Sequence, residues 1–199
     1  MDSNPVQAFL AFLKSDASWF LSTWYAVITK GSRAFDSVDL SRPNVLLHSL
    51  RFLFYIALLS FLLEVPVAAV LKIPYEKPAY AASYLLLNCV LWLGYATVLH
   101  SAMRVMGGRG ELQQSMAIFC FSTAFFVPVM VLQWPTLRHV IPSLRLGETL
   151  SPEYIKTLPP MEAATFWGAS LLSAALMFYF FFVVITAMRE VHCLPSSKA

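Results

Sequence analysis

The stretch MGGRGELQQSM, residues 106–116, contains three glycines, an arginine and a glutamate between two long apolar runs. Glycine-rich loops bind phosphates when they follow the spacing GxxxxGK[ST] or GxGxxG between a strand and a helix. The sequence GGRGEL has neither spacing, and no nucleotide cofactor is expected. Gly107 and Gly108 are instead expected to end one helix, and Glu111 to begin the next, where a carboxylate interacts favourably with the helix dipole.

Glu64 is the second group that could do chemistry, because it stands inside an apolar run. An ionisable side chain in hydrocarbon costs at least about 2.5 kcal/mol on insertion scales and is a functional candidate by default. Depth along the runs predicts a buried polar layer, formed by Glu64, Asn88, Thr123 and Ser170. Such a layer could relay protons or ions or contact a ligand. The alternative is hydrogen bonding between helices, at about 0.6 kcal/mol per contact.

No catalytic site and no metal site are expected. The four histidines lie at the ends of apolar runs or in loops, and none has a second histidine three or four residues away: His48, His100, His139 and His192. The three cysteines are far apart and are interpreted as structural thiols: Cys89, Cys120 and Cys193. The residues therefore offer neither a nucleophile paired with a base nor a ligand cluster for zinc.

Composition identifies a membrane protein. Hydrophobic residues make up 58% of the 199, charged residues only 13%, and mean hydropathy is +0.66. The net charge of +3 is too small and too dispersed for a nucleic-acid surface. Since about 20 apolar residues cross a bilayer, four spans are predicted, at Phe52–Leu71, Ala79–Met103, Ser115–Trp134 and Ala163–Met188. The expected fold is an all-α polytopic helix bundle with four transmembrane helices.

Prolines and charges shape the prediction between and within the spans. Residues 135–162 are proline-rich and charged and are expected to form a surface loop with at most a short interfacial helix. A fifth transmembrane helix would have to hide in this loop. Pro66 and Pro128 lie inside spans and are expected to free backbone carbonyls and to kink their helices.

Lysine and arginine counts set the orientation, because positively charged loops tend to stay in the cytoplasm. With the amino terminus inside, nine of these residues lie on the inner side, namely Lys14, Lys30, Arg33, Arg42, Arg51, Arg104, Arg109, Arg189 and Lys198. Five lie outside, namely Lys72, Lys77, Arg138, Arg145 and Lys156. Both termini and the turn at residue 107 are therefore expected in the cytoplasm. We define the contact turn as Arg104, Gly107, Gly108, Arg109 and Glu111.

Residues 1–51 are expected to be a cytoplasmic segment ahead of a membrane domain at 52–199. Its apolar residues recur at steps of three and four, which predicts an amphipathic helix: Val6, Phe9, Leu10, Leu13, Ala17, Phe20, Leu21, Trp24, Val27 and Ile28. Two interpretations remain open. The helix lies along the inner leaflet, with Trp19, Trp24 and Tyr25 at headgroup depth, or its apolar stripe packs on the cytoplasmic face of the bundle.

The order of these features resembles the Yip (Ypt-interacting protein) domain family of polytopic membrane proteins. The likeness is carried by LHSAMRVMGGRGELQQSMAIFCFSTAFFVPVMVL, with its basic glycine-rich turn, by the terminal MREVHCLPSSKA with its glutamate and histidine, and by RAFDSVDLSRPN before the first span. It covers roughly residues 30–199. The family is usually described with five spans, whereas this sequence predicts four. Either the loop at 135–162 hides a short re-entrant helix or this member has lost one span, and the side of the carboxyl terminus depends on which.

The resemblance implies a membrane protein without enzymatic activity. Eukaryotic relatives bind small GTPases and help to shape or sort vesicles, while bacterial relatives largely lack an assigned activity. The short loops favour a bacterial inner-membrane member, and GTPase binding is not carried over. The leading hypothesis is a scaffold or assembly partner that contacts membrane lipids, other membrane proteins or a second copy of itself. The alternative is a small transporter or channel subunit that uses the polar layer around Glu64.

Overall fold

The computed structural model describes residues 5–36, 38, 40–71, 78–145 and 157–194, and side chains at 14–36, 38, 40–63, 83, 86–136 and 157–194. Six α-helices are present in these residues: α1 (Pro5–Lys30), α2 (Val45–Leu71), α3 (Pro78–Val105), α4 (Leu112–Ser122), α5 (Phe126–Arg145) and α6 (Pro160–Val191). Short 3₁₀ helices follow α1 at Gly31–Asp36 and join α4 to α5 at Thr123–Phe125. The described chain contains no strand.

The predicted fold class is confirmed. Among the described residues, four candidate spans are long and apolar enough to cross a membrane, at Val45–Leu63, Leu86–Val105, Leu112–Thr136 and Pro160–Val191. The third consists of α4, the 3₁₀ turn and the first part of α5. Since 18 or more mostly apolar residues are required for each crossing, these four spans make the chain a multi-pass membrane protein.

Helix α5 extends beyond Trp134, the predicted end of the third span, whereas the candidate span itself ends at Thr136. The helix continues to Arg145 through the stretch PTLRHVIPSLR, for which the sequence predicts a surface loop with at most a short interfacial helix. Charges and prolines dominated that expectation, although the apolar residues of the stretch recur at helical spacing: Leu137, Val140, Ile141 and Leu144. Proline inside a helix is tolerated where neighbouring groups satisfy the carbonyl that it leaves without a donor. The rest of the predicted loop, up to residue 156, lies outside the described residues.

A 3₁₀ turn interrupts the third span at Thr123. The Thr123 hydroxyl donates to the Cys120 carbonyl across 2.6 Å, and the chain resumes α-helical geometry at Phe126. The carbonyl of Ala124 would normally accept from the N–H of residue 128, but Pro128 has none. Trp24 of α1 donates its indole N–H to that carbonyl at 3.0 Å. A donor from another helix thus binds the carbonyl that the proline frees.

The described chain divides into two compact units. The first comprises Met1–Tyr55, Leu93–Ala124 and Val183–Ala199, within the described ranges. Its core is aromatic and aliphatic: the Phe52 ring is fully buried and its centroid lies 5.3 Å from that of Phe121 and 5.2 Å from that of Phe20. Val184 and Met188 of α6 are also fully buried in this unit.

Helix α1 is held on this unit by polar contacts as well as by apolar ones. Asp16 is buried, forms an ion pair with Arg51 and accepts a hydrogen bond from the Tyr55 hydroxyl. The Arg51 guanidinium also lies 5.4 Å from the centre of the Trp19 ring. Breaking a buried charge pair by removing one partner is costly, since the other charge is left without compensation.

The described part of α1 therefore packs on α2 and α4. Whether its apolar stripe lies along the inner leaflet or on the cytoplasmic face of the bundle stays a prediction. Val27 is buried within that contact, but Leu21 is 57% exposed. The stripe is not one buried face, and the amphipathic character predicted for the whole helix stays a prediction. Its side chains before Lys14 lie outside the described residues.

The second unit comprises Ile56–Trp92 and Phe125–Phe182, again within the described ranges. Rings build its core: Phe126 packs against Trp92 at 4.3 Å and against Phe180 at 5.2 Å between centroids. The Thr136 and Ser170 hydroxyls of this unit lie 3.2 Å apart. Edge-to-face and tilted ring pairs of this kind contribute about 0.5–1.5 kcal/mol beyond their buried area.

Large apolar side chains remain exposed along two of the candidate spans. On α3 these are Leu86, Leu87, Val90, Leu91, Tyr95 and Val98, and on α6 they include Leu171, Leu172, Phe178 and Phe182. Only 11% of the candidate span on α3 is buried. In water such a surface would drive association, whereas in a bilayer it faces acyl chains, and lipid contact follows for this protein.

Candidate functional site at the contact turn

Helix α3 ends in the contact turn, in an arrangement that glycine makes favourable. Gly107 has a φ of 94°, its N–H donates to the Arg104 carbonyl at 3.0 Å, and the Gly108 N–H donates to the Met103 carbonyl at 2.9 Å. These two bonds form a Schellman motif, which satisfies carbonyls that the helix end leaves without donors. A side chain at Gly107 would be strained at this φ even though the space around it is open.

Gly108 is small for a different reason, which is the close approach of His192. A Cβ atom built on Gly108 would lie 2.5 Å from Nδ1 of His192 and 2.7 Å from the Met103 carbonyl oxygen. At Gly110 the same atom would lie 2.9 Å from Cδ2 of His192. Two glycines of the turn therefore leave room for the histidine ring.

Helix α4 begins directly after the turn. Glu111 is its N-cap residue, and the Glu111 N–H donates to the Gln114 side-chain oxygen at 3.1 Å. This bond is half of a capping box, which satisfies a backbone donor at the start of a helix. Local residues thus define both ends of the turn: glycines end α3, and the Glu111–Gln114 pair begins α4.

His192 stands at the end of α6, in a second Schellman motif. The Cys193 N–H donates to the Glu190 carbonyl at 3.1 Å, and the Leu194 N–H donates to the Arg189 carbonyl at 3.0 Å. Cys193 has a φ of 53°, a conformation that residues other than glycine and asparagine rarely adopt. The tight helix end turns the His192 ring and carbonyl toward the contact turn.

Three hydrogen bonds join this helix end to the turn and to the first residues of α4. We call the set the His192 junction. The Arg109 N–H donates to the His192 carbonyl at 3.1 Å, and the Gly110 N–H donates to Nδ1 of His192 at 3.2 Å. Nε2 of His192 lies 2.9 Å from the Ser115 hydroxyl. His192 and Ser115 are both fully buried. Every polar atom of the imidazole thus has a partner from the turn or from α4.

The bonds fix the tautomer of His192. Because Nδ1 accepts from the Gly110 N–H, the proton of the neutral ring resides on Nε2, which donates to the Ser115 hydroxyl. Nδ1 of His100 lies 3.0 Å from the same hydroxyl, and the two imidazole centroids are 5.0 Å apart. The junction continues in this way from α6 through α4 to α3.

A serine beside a histidine raises the question of nucleophilic catalysis, and for His192 the tautomer answers it. A general base must accept the serine proton on the nitrogen that faces the hydroxyl. Nε2 of His192 instead donates a proton to Ser115, and burial of both groups keeps a substrate from reaching them. The junction as arranged is a structural hydrogen-bond network.

The junction should respond to acid. Burial lowers the pKa of the His192 imidazole below its usual value, and the nearby His100 and Arg104 lower it further. A second proton on the ring would sit on Nδ1, where the Gly110 N–H now donates, and would remove that bond. The junction is therefore built for the neutral ring.

We expect the folded protein to lose stability as pH falls below about 6.5, the ordinary pKa of histidine. Below that pH the unfolded chain binds a proton at His192 more readily than the folded chain does, so the free energy of unfolding decreases. The check is the thermal unfolding midpoint in detergent at about pH 8 and about pH 5.5. The decrease should be larger for the natural protein than for His192→Gln, which cannot titrate; equal decreases would contradict the expectation.

The remaining residues of the contact turn point outward. Arg104, Arg109 and Glu111 are exposed, as is the neighbouring Val105, which is 89% accessible. The backbone beneath them is held by the Schellman motif, the capping bond and the His192 junction. The turn thus presents two cations, a carboxylate and an apolar side chain on a fixed backbone.

The structure describes only some of the side chains of the predicted polar layer. The side chain of Glu64 lies outside the described residues, and Asn88 is half-buried. The Ser170 hydroxyl donates to the Phe166 carbonyl at 2.8 Å, and that of Thr123 likewise donates within its own helix segment. Hydroxyls that bond their own helix in this way are common packing positions. The layer itself, and with it the transporter alternative, stays a prediction.

Sequence reasoning missed the His192 junction. It placed His100 and His192 at span ends and found no partner for them, because the partners come from segments far apart along the chain. The one available signal was the adjacent pair Gly107 and Gly108, because glycine permits close approach to the backbone. The sequence does not show that His192 is the group that approaches. Among the described residues, no group of three histidine, cysteine or acidic side chains is placed to hold a metal ion.

Comparison with known proteins gives a family match. A family model described as the Yip1 domain matches residues 8–199, which is nearly the whole chain and includes the contact turn and His192. No curated protein and no solved structure gives a significant match.

Proposed function

Because the chain belongs to the Yip1 domain family, we propose that it is a non-enzymatic scaffold of a bacterial inner membrane that recruits a partner protein through the contact turn. Membrane residence follows from its four apolar helices. The observation that carries the scaffold role is the exposed Arg104, Val105, Arg109 and Glu111 on a backbone fixed by His192. A preorganised surface loses little conformational entropy on binding, which favours recognition.

The absence of enzymatic activity belongs to the same proposal. It is supported by the burial of Ser115 and His192 and by the tautomer of His192, whose Nε2 donates to the Ser115 hydroxyl and so does not take its proton. The cytoplasmic location of the turn and of both termini is supported by the excess of lysine and arginine on that side. Two arginines at the turn would favour a partner with an acidic surface through electrostatic complementarity.

The test is site-specific photo-cross-linking from position 105, whose side chain is exposed and lies beside both arginines. With a photoreactive phenylalanine in place of Val105, we expect a discrete protein adduct in native membranes. Charge reversal at Arg104 and Arg109 should reduce that adduct several-fold, since both cations contribute to the encounter and to the orientation of the partner. The mass of the adduct distinguishes a second copy of the chain from another protein.

Two controls make the result specific. Lys14→Glu reverses an exposed cation on α1, away from the turn, and should leave the adduct unchanged. The photoreactive residue at position 98, which is exposed on the lipid-facing side of α3, should give no adduct of the same mass. If the adduct from position 105 were absent or insensitive to the charge reversals, the scaffold role of this turn would be wrong.

A further inference from the structure

A cavity of about 530 Å³ lies in the first unit, between α1, the 3₁₀ helix after it, the start of α2 and α4. Its inner wall is apolar and buried, formed by Val27, Ala34, Val45 and Phe121. Pockets that bind small molecules usually have about 300–1,000 Å³ and mostly apolar walls with a few polar groups. The cavity is therefore large enough for a headgroup or a stretch of acyl chain.

The polar groups of the cavity stand at its mouth. Arg42, His48 and Ser22 line it and are all exposed, in contrast to the apolar wall. No carboxylate lines the cavity in the part of the chain that the structure describes. The buried Asp16 is on the same helix as Ser22, but its charge is compensated by Arg51. The guanidinium of Arg42 has five N–H donors and can bind an anion at the mouth beside its other partners. The wall favours a hydrocarbon.

The depth of the cavity matches the depth of a lipid. Val45 and His48 lie in the first turn of α2, where the first candidate span begins. Phe121 belongs to α4 and stands about 13 Å along the helix axis from Leu112, where the third candidate span begins. A molecule that occupies the cavity therefore has its polar end at a span terminus and its apolar end among membrane-spanning helices.

We propose that this cavity binds one anionic phospholipid of the bilayer, with the phosphate at Arg42 and His48 and part of an acyl chain against Val27 and Phe121. The planar guanidinium of Arg42 suits two phosphate oxygens, and the His48 imidazole adds a donor. The cavity holds only part of the lipid, and the remaining chain extends into the bilayer. This site goes beyond the proposed recruitment of a partner protein, because it assigns the protein a specific class of lipid.

The test measures lipid bound to the purified full-length protein by native mass spectrometry after exchange into nanodiscs. Phosphatidylglycerol and phosphatidylcholine are offered at equal amounts. We expect preferential retention of phosphatidylglycerol, reduced at least about tenfold in Arg42→Gln/His48→Gln, the equivalent of about 1.4 kcal/mol. Arg33→Gln removes an exposed cation of the 3₁₀ helix that does not line the cavity, and should retain the natural preference.

A second variant tests the apolar wall. Ala26 lines the cavity and is half-buried, so Ala26→Leu should fill part of the volume and lower phosphatidylglycerol retention with both cations intact. Equal retention of the two lipids, or unchanged retention in the double variant with an unchanged unfolding midpoint, would overturn the proposal. Competition by glycerol phosphate alone, as strong as that by phosphatidylglycerol, would show a phosphate site without an acyl chain and would also overturn it.

The readouts keep this site separate from the scaffold role. Bound lipid is measured by mass, whereas the scaffold role is measured by the protein adduct from position 105. Loss of phosphatidylglycerol binding in Arg42→Gln/His48→Gln with a normal adduct supports the lipid site alone, and each result can fail without the other.

Discussion

Gly108→Ala should lower the free energy of unfolding by about 3 kcal/mol, the upper range for overpacking. The added methyl group would lie 2.5 Å from Nδ1 of His192 and 2.7 Å from the Met103 carbonyl oxygen. The histidine ring is fully buried and bonded at both nitrogens, and the carbonyl is part of the helix end. Neither neighbour can move without loss of a hydrogen bond.

Two other glycines provide matched controls for the same change. Gly107→Ala meets no atom within 4 Å but requires alanine at a φ of 94°, which costs roughly 1–2 kcal/mol. Gly94→Ala lies within helix α3 with nothing near the new methyl, and should stabilise the helix by roughly 0.5–1 kcal/mol. Denaturation of the purified variants in mixed micelles measures all three. If Gly108→Ala and Gly94→Ala were equally stable, the close approach of His192 would be disproved.

The second large effect is expected at Trp24, whose indole N–H donates to the Ala124 carbonyl. Trp24→Phe should destabilise the protein by about 2 kcal/mol, because a buried acceptor loses its donor. The cost should shrink by at least about 1 kcal/mol in a Pro128→Ala background, since alanine restores the N–H that an α-helix would direct at that carbonyl. A double-mutant cycle of unfolding free energies measures the coupling.

Trp19→Phe is the control for this cycle. Trp19 is on the same helix and makes ring contacts with Phe52 and Arg51, so the substitution changes a similar volume without touching Ala124. Its cost should be the same with proline or alanine at 128. A cost of Trp24→Phe that did not change between the two backgrounds would mean that the indole does not replace the missing helical donor.

The four spans were predictable because each is a long apolar run, and a bilayer imposes a minimum length on such runs. Boundaries were less so: α5 passes Trp134 and Pro135, because a proline can remain in a helix whose carbonyls find other donors. The local turn at Gly107 follows from short-range rules for helix ends. These features depend on neighbours along the chain.

The His192 junction depends on residues far apart in sequence, and no periodicity reports which helix end meets which turn. The same limit applies to Trp24 and Ala124. Pro128 predicts that the carbonyl is freed, but the sequence does not show which donor arrives. The predicted polar layer was inferred from depth alone. Equal depth along two helices does not specify that Thr123 or Ser170 faces the other members of the layer. Depth follows from counting residues, whereas rotation about the helix axis follows from packing.

The His192 junction also constrains how the chain is threaded through the membrane. The His192 carbonyl and ring accept from the N–H groups of Arg109 and Gly110, and groups within hydrogen-bonding distance at two helix ends must lie on one side of the bilayer. The number of crossings between residues 110 and 192 is therefore even. Among the described residues, the third span and α6 supply two. A single additional crossing between them would reverse the parity and separate the hydrogen-bonded partners by the full thickness of the membrane.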